Sequence, residues 1–104
     1  MKFTLPADKV PKQKEAMRKA GYFEFVDPNT HEMSYVLQLG PEYYPRFHLY
    51  IEEKNNVLSF NLHLDQKKPS YGDNHMHSGE YVGPTVEKEL HRVAGWVVAV
   101  TKGA

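Results

Sequence analysis

The sequence predicts an α+β domain: an N-terminal helix, a four-stranded antiparallel meander, and a C-terminal helix packed on the apolar face of the sheet. Three observations predict it. Residues 46–52 and 57–65 alternate strictly between apolar and polar side chains, Val86, Leu90, Val93 and Val97 recur at three- and four-residue spacing, and Pro and Gly fall between such segments rather than inside them. The 104 residues suit one domain, and no internal repeat divides them. Leu, Ile, Val and Phe supply only 24 of those residues, so the seven tyrosines and the single tryptophan must contribute to the core.

Residues 11–20 read as the first helix. Pro11 suits a first turn, Ala16, Met17 and Ala20 form a narrow apolar stripe, and Gly21 suits the left-handed position that ends a helix. The other side is basic, with Lys9, Lys12, Lys14, Arg18 and Lys19 set against Asp8 and Glu15. Residues 22–26 and 33–39 read as a hairpin around the turn formers Asp27, Pro28 and Asn29. Pairing Phe25 with Met33 and Phe23 with Tyr35 would gather the larger apolar side chains on one face and leave Glu24 and Ser34 on the other.

Gly40, Pro41 and Pro45 interrupt the pattern, and the two best strands follow. A two-residue turn at Asn55 and Asn56, both tolerant of positive φ, pairs Phe47 with Leu64, Leu49 with Leu62 and Ile51 with Phe60 on one face. The other face then pairs Arg46 with Asp65, His48 with His63, Tyr50 with Asn61 and Glu52 with Ser59. A slip of one residue would set polar against apolar throughout, so the parity is determined. Residues 66–83 carry no periodicity and exceed the ~12–15 residues of plain connections, while holding Tyr71, His75, Met76, His77, Glu80 and Tyr81, which marks a functional loop. The last helix opens at Gly83 and Pro84. Beyond Gly95 two continuations stay open, a β-branched edge strand or further helix burying Trp96.

Thirteen basic residues balance thirteen acidic ones, which disfavours strong nonspecific phosphate binding by the whole molecule. With no cysteine, disulfide scaffolds, thiolate metal sites and cysteine nucleophiles are excluded, and a metal site must use nitrogen and oxygen. No hydrophobic leader follows Met1, and no apolar run approaches the ~20 residues of a membrane span. A soluble cytoplasmic protein with no membrane partner is expected.

The strongest constellation is His63 and Asp65 at the end of the fourth strand with His75 and His77 in the loop. Residues i and i+2 of an extended chain point the same way, so each pair presents two ligands to one side. These four are the predicted metal ligands, and Arg46, His48, Tyr50, Tyr71 and Glu80 the predicted ligand-binding residues around them. Imidazoles with a carboxylate suit zinc, nickel, copper or ferrous iron. The same residues support a metal-free reading, in which His63, held by Asp65 or His48, is a general base, Arg46 or Lys67 binds a small anionic ligand, and Tyr50 or Tyr71 donates a proton. The plain structural role is an Arg46–Asp65 cross-strand pair that fixes register. His31 and His91 look incidental.

A different class of function would use the basic first helix with Tyr43, Tyr44, Lys67 and Lys68 as an RNA- or protein-docking face. The helix–strands–helix order is similar to that of double-stranded-RNA-binding modules and small messenger-RNA-cleaving toxins. Against it, Glu87 and Glu89 open the last helix where such modules place basic residues on phosphate. No strained serine elbow, glycine-rich phosphate loop or dinucleotide fingerprint is present.

The segments Tyr44-Pro45-Arg46-Phe47-His48, Leu62-His63-Leu64-Asp65-Gln66-Lys67-Lys68-Pro69-Ser70-Tyr71 and His77-Ser78-Gly79-Glu80-Tyr81 resemble a family of small uncharacterised bacterial proteins known largely from metagenomic sequence. The resemblance runs from about Gly21 to Val93. It implies a bacterial cytosolic single domain and carries no catalytic assignment.

Overall fold

The second hairpin forms as its alternation requires. In the computed structural model, which describes residues 1–66, 79–80 (backbone) and 83–102, β4 (Arg46–Lys54) and β5 (Val57–Asp65) pair antiparallel in the expected register, with Phe47 opposite Leu64 and His48 opposite His63. Asn55 and Asn56 both take left-handed conformations, φ 55° and 63°, which lets a two-residue turn follow the strand twist. Leu49, Leu62 and Phe60 are wholly buried on one face, each contributing about 1.5–3 kcal/mol by leaving water.

Around this hairpin the sheet runs in the order β1, β5, β4, β3, β2, where β1 is Lys2–Pro6, β2 is Phe23–Val26 and β3 is Met33–Gln38. A two-residue strand, β6 (Gly79–Glu80), also pairs with β5. The sheet is therefore larger than the predicted meander in two respects. β1 precedes the first helix and pairs with β5 along its outer edge, where Phe3 stacks on Phe60 at 4.5 Å. Its alternation of Phe3 and Leu5 is too short to stand out against the flanking lysines and prolines. β6 falls inside the stretch expected to be wholly irregular.

The first hairpin is displaced by one residue from its expected register: Phe23 faces Val36, Phe25 faces Ser34 and Val26 faces Met33. The turn sets this. The Asp27 carboxylate accepts from the backbone N–H of Asn29 and Thr30, the His31 N–H donates to Asp27 O, and the Asp27 N–H donates to Glu32 O, with His31 left-handed at φ 62°. Closing the loop on Asp27 and Glu32 fixes a pairing that sends Phe23 and Phe25 to the face opposite the one expected.

Both helices lie on the other face. α1 (Gln13–Lys19) buries Ala16 and Met17 and ends at Gly21, whose φ of 99° is the left-handed value anticipated. α2 (Pro84–Thr101) runs through Gly95 without a break, so the segment left open between strand and helix is helical, with Val86, Leu90, Val93 and Val97 buried and Trp96 packed at the margin of the core. Packing of that continuous stripe outweighs the cost of one exposed glycine and several β-branched residues. Glu89 pins the two helical segments: it accepts from the Tyr22 hydroxyl at 2.6 Å and from Arg92 at 2.8 Å, while Arg92 also donates to Ala20 O. Among the described residues no helix is long and apolar enough to cross a membrane.

Candidate metal site on the open sheet face

Strand parity places Ser34 on β3, Arg46, His48 and Tyr50 on β4, and His63 and Asp65 on β5 on the face away from the helices. The displaced first hairpin adds Phe25 from β2 to this face. Arg46, His48, Ser34 and the neighbouring Val36 are buried despite facing away from the main core.

Asp65 is the hub. Its Oδ2 accepts from Arg46 Nε at 3.0 Å and from His48 Nδ1 at 3.1 Å, and its Oδ1 lies 2.9 Å from His63 Nε2. Burial raises the carboxyl's pKa and is the largest single influence, but the hydrogen bonds from His48, His63 and Arg46 together outweigh it and hold Asp65 well below the usual carboxylate range. The anion is thus the stable form, and three donors share it.

Aromatic rings surround this charge. Tyr50 stacks on His48 at 4.5 Å and lies 5.8 Å from His63, while the Phe25 ring meets His48 edge-on at 6.1 Å. The Arg46 guanidinium carbon sits 4.4, 4.9 and 5.3 Å from the ring centres of Tyr43, Tyr44 and Phe25. These contacts fasten the 40–45 connection onto the sheet and hold Arg46 against Asp65.

His48 is held at both nitrogens, because Ser34 Oγ lies 2.7 Å from Nε2. The order Ser34, His48, Asp65 has the connectivity of a serine-nucleophile relay, yet Ser34 is only 2% exposed and no substrate can reach it. Its hydroxyl instead orients the imidazole. Ser34 Oγ is also 3.4 Å from Phe25 O, so it can donate either to His48 or to that carbonyl.

Of the predicted site residues, Arg46, His48, Tyr50, His63 and Asp65 come together. His48 moves from the periphery to the centre: His48, His63 and Asp65 each offer one ligand atom, all within 4.8 Å of one another. Tyr71, His75 and His77 lie outside the described residues, as do Lys67 and Lys68, and of Glu80 the structure describes the backbone, which pairs with Leu64. The cross-strand Arg46–Asp65 pair also exists, so register fixing and site building use the same contact. Sequence reasoning missed Ser34 and Phe25, whose roles depend on the β2–β3 and β3–β4 registers. It grouped Tyr43 and Tyr44 with a docking face, whereas both rings lie against Arg46.

Comparison with protein-family models, curated proteins and solved structures finds no match. The function therefore has to be argued from this geometry.

Proposed function

We propose that this protein binds a divalent transition-metal ion through His48 Nδ1, His63 Nε2 and one Asp65 oxygen. The observation that carries the reading is the spacing of these atoms: both nitrogens face one carboxylate at 3.1 and 2.9 Å. Ligands about 2.0–2.2 Å from a common ion stand about 2.8–3.6 Å from each other in octahedral or tetrahedral geometry, and the three ligand atoms lie within 4.8 Å of one another, so closing both imidazoles on one Asp65 oxygen would let an ion replace the two protons. Two imidazoles and a carboxylate suit zinc or ferrous iron, and three protein ligands leave positions for water or substrate, the pattern of reactive rather than purely structural sites.

Ser34 supports the metal-bound tautomer. When Nδ1 gives its lone pair to a metal, the proton resides on Nε2 and donates to Ser34 Oγ, whose own hydrogen turns to Phe25 O. Such outer partners fix ring orientation, and removing one lowers metal affinity about 10–100-fold. Arg46 acts in the opposite sense: its positive charge on Asp65 Oδ2 opposes a dication and leaves Oδ1 as the better ligand oxygen. The expectation that His75 and His77 complete the coordination, with Tyr71 and Glu80 nearby, belongs to the same reading.

The test is calorimetric titration of untagged, chelator-stripped protein with zinc and ferrous iron. One ion should bind per chain, His63→Ala should abolish binding, and Ser34→Ala should weaken it about 10–100-fold while Ser34→Thr restores it. A His75→Ala/His77→Ala variant that still binds one ion assigns the site to the three described ligands, whereas lost binding assigns the loop histidines to it. Absence of binding by the intact chain overturns the reading.

A further inference from the structure

The basic side of α1 plays no part in the histidine site, and it borders a cleft of about 320 Å³ between α1 and the β2–β3 edge, lined by Lys14, Arg18, Tyr22, Phe23, Glu24 and Tyr35. The displaced hairpin register forms it, because Glu24 and Tyr35 become direct cross-strand neighbours on the helix side of the sheet.

Tyr35 is the informative residue. It is only 4% exposed, yet its hydroxyl bonds to no described residue and is not sealed from solvent, so within the cleft its proton is open to an incoming acceptor. Arg18 likewise has no acceptor among the described residues. Lys14 reaches Glu24 at 3.0 Å, but both side chains are about half exposed, and such a pair is weak enough for a competing anion to displace. The cleft thus offers two cations and a phenol against one carboxylate.

We propose that this cleft binds the phosphate group of a small phosphate monoester. A phosphate presents three terminal oxygens, one for each of the three donor groups, and its close to two negative charges at neutral pH draw on both cations more strongly than a singly charged carboxylate can. Arg18 supplies the forked donor set that fits a phosphate and Lys14 a point charge. Tyr35 supplies a neutral hydrogen bond, and burial, with Glu24 beside it, holds its hydroxyl in the protonated form. The cleft's volume exceeds that of phosphate alone, which leaves room for an organic body beside the phosphate.

The test is an NMR titration of isotope-labelled protein with inorganic phosphate, phenyl phosphate and acetate at matched ionic strength. Saturable shifts of amides in α1 and the β2–β3 edge are expected with both phosphates, phenyl phosphate binding more tightly and acetate not saturating. Arg18→Ala should weaken phenyl phosphate binding about tenfold or more, and Tyr35→Phe, which removes no hydrogen bond to a described residue, several-fold. His63→Ala should leave it unchanged. Non-saturating shifts, acetate binding as tight as phosphate, or full affinity in both Arg18→Ala and Tyr35→Phe would each overturn the proposal.

Discussion

Asp65 shows how one residue links register, charge and site. Its side chain is 19% exposed and accepts from Arg46, His48 and His63, so the carboxylate is favoured in the folded chain far more than in the unfolded one. A depressed folded pKa stabilises the native state fully above the unfolded value, about pH 4, and that contribution is lost as the pH falls through the acid range toward the folded pKa. Asp65→Asn should therefore cost about 3 kcal/mol at pH 7, because Arg46 remains buried without its counter-ion. Its stability should also fall less steeply than that of the wild type below about pH 4. Urea unfolding in chelator at pH 7 and pH 3 checks both expectations; parallel losses in the two proteins would remove Asp65 from its hub position. Much of this was legible beforehand, since the opposition of Arg46 to Asp65 and His48 to His63 follows from a two-residue turn and alternation alone. Ser34 and Phe25 were not, because cross-strand neighbours become visible only when every intervening register is known.

At the scale of elements, legibility followed the length and regularity of each pattern. The nine-residue strands β4 and β5 carry enough alternation to exclude a slipped pairing. β2 has four residues, so the Asp27 turn decided its register rather than the apolar count. β1 was hidden because its pairing partner lies more than fifty residues away in the chain. In α2 the stripe from Val86 to Val97 was read correctly, while Gly95 left the far end open, since a lone glycine is compatible with either a stop or a tolerated interior position. The structure shows it to be interior and exposed, and a Cβ added there meets no atom within 4 Å. Gly95→Ala should then stabilise the protein by about 0.5–1 kcal/mol, seen as a rise of roughly 2–8 °C in melting temperature. A lower melting temperature would mean that α2 is interrupted at this point.

For the whole molecule, the division of labour between the two sheet faces connects the candidate metal to global stability. The helices and the main core occupy one face, so the other is free to carry polar chemistry, yet that second face draws on four adjacent strands. β5 gives His63 and Asp65, β4 gives His48 and Arg46, β3 gives Ser34 and β2 gives Phe25. No single peripheral element can detach with the whole site, and unfolding separates the ligands from one another. An ion that binds only the assembled set therefore stabilises the fold by mass action, about 2.7 kcal/mol when free metal is one hundred times the dissociation constant. For a domain of this size that corresponds to a rise of roughly 10–20 °C in melting temperature. The rise should grow with the logarithm of zinc concentration, reverse on chelation, and vanish in His63→Ala. Calcium, which prefers six to eight oxygen ligands, should produce little of it. A melting temperature indifferent to zinc, or a shift that His63→Ala retains, would show that the cluster is a structural hydrogen-bond network in which Asp65 serves Arg46 and the two imidazoles alone.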